Sequence, residues 1–334
     1  MRGCLFVTTQ GATIGKEGER VKIRTRANEI ITDLPASKIE MIIAIGGVNF
    51  TPEYVNLASR FNIETVFLTL TGQFKARLDC SHEKLVTVRL KQYEFVKDEE
   101  KNLKLASSFV SGKIQNMRTI LRRYKKRGRK INDEVLIMMK AYSIMAKKTE
   151  NHNELLGVEG CASALYFQNI QNCLNYNLGF HKRVRRPPTD PVNALLSFGY
   201  SILYRYVCAA VRLSGLDPYL GVLHFPKDRR QSLALDLMEE WRSIVVDSVV
   251  IRMVNQLEVS EDDFIRSASS GGMIMNKKLL GKYITKLGNR LNTEISMKKN
   301  SKSYPIKKLM IKQALLCRKI MEGKEEEYIS FRNR

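Results

Sequence analysis

Paired cysteines, long apolar runs and a signal-like start are all missing from this 334-residue chain. The six cysteines are scattered and none has C-x-x-C spacing, which argues against a zinc site or a disulfide framework and predicts buried free thiols. The longest apolar stretch, 195–211, is interrupted by Arg205 and is shorter than the roughly 20 residues that span a bilayer. The first residues, MRGCLFVTTQGATIGK, lack the apolar core of a signal peptide. We therefore expect a cytoplasmic protein without a membrane anchor.

Acidic residues are scarce relative to basic ones. The chain has 34 Asp and Glu against 56 Lys and Arg, a net charge of +22. Residues 1–85 carry only +2, whereas 86–150 and 151–334 carry +10 each. An excess of this size predicts a polyanionic partner, either nucleic acid or an anionic membrane surface. The run 121-LRRYKKRGRK-130 is consistent with either a solvated loop or a nucleic-acid contact.

The pattern of residues 1–85 predicts a small β-domain. Short β-branched runs such as RVKIRT and KIEMIIAIG alternate with turn residues. Thr51 and Pro52 are typical of the start of a helix, which we predict over 51–62. Gly46 and Gly47 follow a strand, but the full G-x-G-x-x-G pattern is absent, so a dinucleotide-binding loop is disfavoured.

From residue 86 onward the apolar spacing of three and four residues predicts helices. The fold class is therefore α+β: a small N-terminal β-domain over 1–85, followed by a larger all-α domain over 86–334. One long helical stretch follows residue 86, and the other predicted helices are 132–148, 157–178, 192–214, 231–256 and 261–270, with more helix from 275 to the end.

Four side chains in the helical region are candidates for chemistry, and each also has an ordinary explanation. Glu159 near a helix start would favour the helix dipole, with Ser163 and Tyr166 on its face. His224 would be a hydrogen-bonded loop histidine. Asp236 and Glu239 would form the solvated face of an amphipathic helix.

Taken together, these acids are better explained by a divalent cation. Unneutralised carboxylates repel phosphate, so a strongly basic protein gains from an ion that inverts the local charge. Carboxylates with open water positions suit Mg²⁺, and an imidazole shifts the preference toward Mn²⁺. Sequence spacing leaves open whether the residues converge.

Four stretches carry a resemblance to a known family. They are 157-GVEGCASALYF-167, 185-RRPPTDPVNALLSFGYSILY-204, 215-GLDPYLGVLH-224 and 230-RQSLALDLMEEWR-242. In this order and at these separations they resemble the CRISPR-associated spacer-acquisition integrases, the universal adaptation proteins of CRISPR systems. The resemblance extends over essentially the whole chain, including its order of domains.

The resemblance implies a metal-dependent DNA integrase and endonuclease that joins the 3′-hydroxyls of prespacer DNA to the CRISPR repeat by transesterification. It implies that Glu159, His224 and Glu239 bind Mg²⁺ or Mn²⁺ and that Asp236 supports His224 or the metal. The third ligand stays open between Glu239 and Asp236, with Glu239 favoured. Family members form homodimers, and two dimers flank a dimer of a small ferredoxin-like partner, CRISPR-associated protein two.

Contacts to double-stranded DNA are predicted at a basic segment and at one tyrosine. Lys182, Arg183, Arg185 and Arg186 are candidates for strand contacts, or they form a solvated basic loop. Tyr166 either stacks on a nucleotide or lies in the core. Two other functions remain possible: a structure-specific metal-dependent nuclease and a non-catalytic DNA-binding scaffold.

Overall fold

The computed structural model describes residues 3–78, 80, 85–268, 271–296 and 302–333. The chain divides into two compact units, Met1–Lys84 and Leu85–Arg334. This division lies one residue from the predicted boundary. Strands predominate in the first unit and helices in the second, so the predicted α+β class is confirmed.

The N-terminal unit contains two four-stranded sheets in its described residues, ordered β1-β5-β7-β8 and β4-β3-β2-β6. β5 runs parallel to both of its neighbours, and its sequence IEMIIAI is almost entirely buried, as is typical of a central parallel strand. The elements are β1 Gly3–Val7, β2 Thr13–Glu17, β3 Arg20–Arg24, β4 Ile30–Pro35, β5 Ile39–Ile45, β6 Asn49–Phe50, α1 Pro52–Phe61, β7 Glu64–Leu68 and β8 Phe74–Leu78.

The start of α1 is the one predicted from the sequence. The Thr51 side chain accepts a hydrogen bond from the Tyr54 peptide N–H at 3.3 Å, and Pro52 is the first helical residue. Before this helix, the Gln10 side chain fills the Gly46–Gly47 turn by accepting from the Gly47 N–H at 2.7 Å. The turn is therefore satisfied internally, in keeping with the rejection of a dinucleotide loop.

The C-terminal unit is mainly helical, but its described residues also form two short β-hairpins, β9–β10 and β11–β12. Its elements are α2 Val86–Lys97, α3 Glu99–Lys126, α4 Asp133–Met145, α5 His152–Ile170, α6 Pro191–Leu213, α7 Ser232–Met238, α8 Ser248–Asn255, β9 Phe264–Arg266, β10 Met273–Met275, α9 Lys277–Asn292, β11 Glu294–Ser296, β12 Ser303–Pro305 and α10 Ile306–Met321. A π-helix, Arg242–Asp247, leads into α8.

Several predicted helix boundaries were wrong for identifiable reasons. The long helix after residue 86 breaks at Asp98, whose side chain accepts from the Lys101 N–H and caps α3. α5 begins at His152 instead of 157, because Asn151 caps it by accepting from the Glu154 N–H. The predicted helix 261–270 contains a 3₁₀ turn, Glu261–Asp263, followed by strand β9.

Helix α6 is a long apolar segment of this unit. At 23 residues it is long and apolar enough to span a membrane, which corrects the expectation that this stretch is too short. Most of its apolar window is buried within the protein, and Arg205 is buried with it. Burial in the core thus accounts for its hydropathy. Among the cysteines, Cys161 is exposed and Cys4 partly exposed, which limits the prediction of buried thiols to the other four.

Candidate active site

Asp236 is the residue that positions His224 in the site. It lies on α7 and is fully buried, so the predicted alternative of a solvated acidic face is wrong. Its Oδ2 accepts from the peptide N–H groups of Val222 and Leu223 at 2.7 and 3.0 Å, and its Oδ1 accepts from the N–H of His224 at 3.0 Å. The Asp236 carboxylate therefore holds three consecutive peptide groups of the loop that carries His224.

The same carboxylate orients the His224 ring. His224 Nδ1 lies 2.6 Å from Asp236 Oδ1. Because an ionised carboxylate only accepts hydrogen bonds, Nδ1 carries the proton and Nε2 is the nitrogen left for another partner. This hydrogen bond raises the pKa of His224, and burial opposes the rise. The arrangement is the one in which a carboxylate holds a metal-binding histidine.

The glycine in the YLGVLH segment is required by this packing. A Cβ at Gly221 would lie 2.6 Å from Ser232 Cβ and 2.7 Å from Asp236 Oδ2. Real Cβ atoms do not approach so closely, so any larger residue would push the loop away from α7. Gly221 therefore allows the peptide groups to close over Asp236.

Glu159 and Glu239 meet at one cation, the ammonium of Lys113. Lys113 lies on α3 and is buried; its Nζ contacts Glu159 Oε1 and lies 2.6 Å from Glu239 Oε2. Ser163, four residues after Glu159, donates to Glu159 Oε1 at 2.9 Å, as their shared helix face predicts. Glu159 is eight residues into α5, in the helix interior, so the helix-dipole explanation is wrong. We call Glu159, Glu239 and Lys113 the carboxylate–lysine cluster.

Glu239 has a second cationic partner. Arg242 Nε donates to Glu239 Oε1 at 2.9 Å. Burial by itself raises the pKa of the Glu239 carboxyl, but Arg242 and Lys113 outweigh it and lower this pKa to about 2. Glu239 Oε2 lacks a well-directed hydrogen bond, so its 2.6 Å approach to Lys113 is best described as a charge contact. The buried Glu239 carboxylate is ionised because it is paired with the Arg242 and Lys113 cations.

Asp247 is a further buried acid near Arg242, and sequence reasoning missed it. The hydroxyls of Tyr166 and Tyr200 donate to its two oxygens at 2.8 and 2.6 Å. The Arg242 guanidinium lies over the Tyr200 ring, 4.7 Å from its centroid. Burial raises the pKa of Asp247 to about 6, with the two tyrosine hydrogen bonds acting against the rise. Tyr166 is fully buried, so it lies in the core and does not present its ring to a nucleotide.

Lys113 and Arg242 were also not identified from the sequence as site residues, although the sequence around Lys113 carries a signal. Lys113 is the only charged residue in LASSFVSGKIQNM, a stretch of apolar and small residues within a helix. A lone lysine in such a place predicts burial and hence an acidic partner. Arg242 follows Glu239 by three residues, which is ordinary helical pairing, and nothing in the sequence distinguishes it from a solvated arginine.

The side chains present determine whether this site suits a divalent ion. In the part of the chain that the structure describes, no three carboxylate, imidazole or thiol groups lie close enough to share one metal ion. Two of the predicted ligands nevertheless converge on a single cationic position, where the Lys113 ammonium lies. The third predicted ligand, His224, is held by Asp236 on α7. Two carboxylates converging on one cation are the kind of site that suits Mg²⁺ or Mn²⁺.

The predicted strand contacts divide into two groups. Arg183 donates to Asn193 Oδ1 at 2.8 Å and to Ser197 Oγ at 2.9 Å, which holds its guanidinium against the protein. Lys182, Arg185 and Arg186 are exposed. Arg183 is therefore better explained as a structural residue, and the other three stay candidates for DNA contacts.

Known proteins resemble this chain along nearly its whole length. Residues 5–289 match the model of the family described as CRISPR associated protein Cas1. The CRISPR-associated endonuclease Cas1 3 of Thermus thermophilus is 32% identical over 330 residues, which is 98% of this chain and 97% of that protein.

Solved structures give the same result. A Cas1 protein from Thermotoga maritima superimposes with a TM-score of 0.83 at 26% identity, covering 96% of this chain and 98% of its own. A casposase bound to its integration product has a TM-score of 0.87 at 21% identity and covers 99% of this chain and 94% of its own. The Cas1 part of a Cas6-RT-Cas1–Cas2 complex has a TM-score of 0.83 at 21% identity, covering 99% of this chain and 36% of its own. The last two show a shared fold alone. Family match, identity and fold agree, and the chain belongs to the Cas1 family of CRISPR-associated proteins.

Proposed function

We propose that this protein is a divalent-metal-dependent DNA integrase and endonuclease of CRISPR adaptation. It joins the 3′-hydroxyls of prespacer DNA to the CRISPR repeat by transesterification. One observation carries the proposal: Glu159 and Glu239, from helices far apart in sequence, converge on a single cation inside a chain of net charge +22. A buried acid and a partly buried acid that converge in so basic a protein need a cationic occupant.

Each residue of the site has a distinct role in this proposal. Glu159, Glu239 and His224 hold Mg²⁺ or Mn²⁺, and Asp236 keeps the His224 ring in the tautomer that leaves Nε2 available. Because Asp236 is saturated by three peptide N–H groups and the His224 ring, the third metal ligand is Glu239. When bound, the ion supplies Lewis-acid polarisation of the scissile phosphate.

Lys113 holds the two carboxylates together in the absence of an ion. An ion held by Glu159 and Glu239 would compete with the Lys113 ammonium for the same oxygens. The ammonium would then be available, next to the site, to pair with an oxygen of a bound phosphate.

The substrates and partners follow from charge and family. Prespacer and repeat DNA are held mainly through phosphates by lysine and arginine side chains, including Lys182, Arg185 and Arg186. Homodimerisation through the N-terminal unit and assembly with CRISPR-associated protein two are supported by the family resemblance. The near-neutral charge of residues 1–85 suits a surface that contacts protein.

Strand joining with the partner protein is the test of this function. We expect E159A, H224A and E239A to abolish covalent joining of a 3′-hydroxyl duplex to supercoiled array plasmid while duplex binding is retained. D236N should lower the rate by about 10- to 100-fold, because it loosens a supporting group and leaves the ligands in place. D262A, at an exposed acid of the same unit, is the matched control and should join DNA at the parent rate.

The alternative outcomes separate the other two functions. Nicking without joining by the parent protein would identify a structure-specific nuclease. Joining by E159A and E239A at the parent rate would contradict the metal-site hypothesis. Duplex binding by the parent without joining or nicking would leave a non-catalytic DNA-binding scaffold as the better account of this chain.

A further inference from the structure

An arginine-lined cavity lies at the C-terminal end of α3, whereas Lys113 of the carboxylate–lysine cluster lies in the middle of that helix. Its volume is about 390 Å³, and it is lined by Tyr124, Arg127, Arg129, Arg252, Asn255 and Gln256. Three of these six residues are arginines and none is acidic. Tyr124 follows Lys113 by eleven residues of the same helix, which places it about 16 Å away along the helix axis.

These arginines form a like-charged group without counterions. Within the described residues, Arg127, Arg129 and Arg252 make no ion pair. Burial and the charges of Arg123 and Arg252 lower the pKa of Arg290 to about 10, and burial and Arg127 lower that of Arg123. Folding thus holds the three cavity arginines together against their mutual repulsion.

Helix dipoles account for only part of this cluster. Arg127 directly follows α3, and Arg252 lies in the last turn of α8, where cations favour the negative helix end. That effect is small for each residue and operates equally well for arginines that are apart. It does not explain why three arginines from two segments line one cavity.

We propose that this cavity binds a phosphodiester group of the DNA substrate, at a site separate from the carboxylate–lysine cluster. Guanidinium groups match the geometry of phosphate oxygens and form paired hydrogen bonds with them. The 16 Å between Tyr124 and Lys113 equals about five base pairs of duplex at 3.4 Å each. A DNA segment of that length would span the separation of the two sites along α3. The proposal rests on the proposed DNA-processing function.

Salt-dependent DNA binding by the full chain tests this phosphate site. We expect R129A/R252A to weaken binding of two duplexes of unrelated sequence by the same factor. The slope of log affinity against log salt should become shallower by about 1, as expected when one phosphate contact is lost. The matched control R89A/K91A removes two exposed charges from α2 and should change the slope less. Equal changes for both variants, or none for R129A/R252A, would overturn the proposal.

Thermal unfolding with inorganic pyrophosphate checks the same site without DNA. The parent should gain thermal stability with added pyrophosphate, and R129A/R252A should lose most of that gain. Without pyrophosphate, the variant should unfold no earlier than the parent, because it removes mutually repelling cations. A parent that binds DNA through the cavity but joins no strands would refute the integrase function and leave this site standing.

Discussion

Two buried carboxylates in the same stretch of chain behave in opposite ways. Glu239 directly follows α7, and Asp247 is the last residue of the next π-helix. Burial raises the pKa of both, yet that of Glu239 falls to about 2 whereas that of Asp247 rises to about 6. The difference lies in the partners, since Glu239 contacts Arg242 and Lys113 directly, whereas Asp247 accepts hydrogen bonds from two neutral tyrosines.

This difference separates the carboxylate to which we assign cation binding from one that holds the fold. Glu239 is paired with the Lys113 ammonium, and the proposed function requires that another cation can take the place of this ammonium. An acid bound by tyrosine hydroxyls in the core has no exchangeable partner, and it locks α5 and α6 to the π-helix through Tyr166 and Tyr200. Chemistry is therefore expected at Glu239, and rigidity at Asp247.

Among the predicted variants, replacement of Lys113 should change the free energy of unfolding most, because Lys113 is one of the two cations that distinguish Glu239 from Asp247. K113M leaves Glu159 and Glu239 facing each other without their shared cation, and breaking a buried ion pair costs about 3–5 kcal/mol. We expect a loss of this size in the free energy of unfolding, measured with urea at pH 7 in EDTA. Mn²⁺ should restore most of the loss, because it supplies the missing positive charge.

Two controls for K113M test the positive charge and the binding of the metal separately. K113R keeps the positive charge and should lose much less stability in EDTA than K113M. Calorimetric titration should show that K113M binds Mn²⁺ more tightly than the parent, since no ammonium competes for the carboxylates. Parent-like stability of K113M in EDTA, or weaker Mn²⁺ binding, would contradict the role given to Lys113.

Replacing Asp247 by a neutral residue should have the next largest effect on the free energy of unfolding, and this effect should be stabilising. In the unfolded chain the carboxyl loses its proton near pH 4, whereas in the folded protein it does so at about pH 6. Between these values the folded state keeps a proton that the unfolded state has lost, so Asp247 lowers the parent's stability as pH rises through this window. The full cost is present above pH 6.

D247N should therefore gain stability over the parent as pH rises. A pKa shift of this size corresponds to about 3 kcal/mol, so the difference between variant and parent should grow by that amount from pH 4 to pH 8. Urea unfolding of both proteins at several pH values measures it, and groups common to both cancel. A difference independent of pH would show that folding does not raise the pKa of Asp247.

The sequence predicts the fold class and the capped start of α1, because these depend on local patterns. Thr51 with Pro52 is a local signal, and so is Glu159 with Ser163. Burial of Asp236 and Glu239 is not local, because their spacing is the same for a solvated helix face as for a buried one. Lys113 contacts Glu239 from α3, more than a hundred residues earlier in the chain, and only the tertiary fold brings that pair together.

The smallest predicted effect concerns Ser163, which supports Glu159 in the carboxylate–lysine cluster. Ser163 donates a hydrogen bond to the same Glu159 oxygen that contacts Lys113. S163A removes one partly buried hydrogen bond to a charged group, so we expect a loss of about 1 kcal/mol in the free energy of unfolding in EDTA. Because Lys113 still holds Glu159, strand joining should persist at a reduced rate. Thermal and urea unfolding measure the first effect, and the plasmid assay measures the second. If S163A abolished joining as completely as E159A, the hydroxyl would have to act on the substrate or the metal, and its role as a support for Glu159 would be wrong.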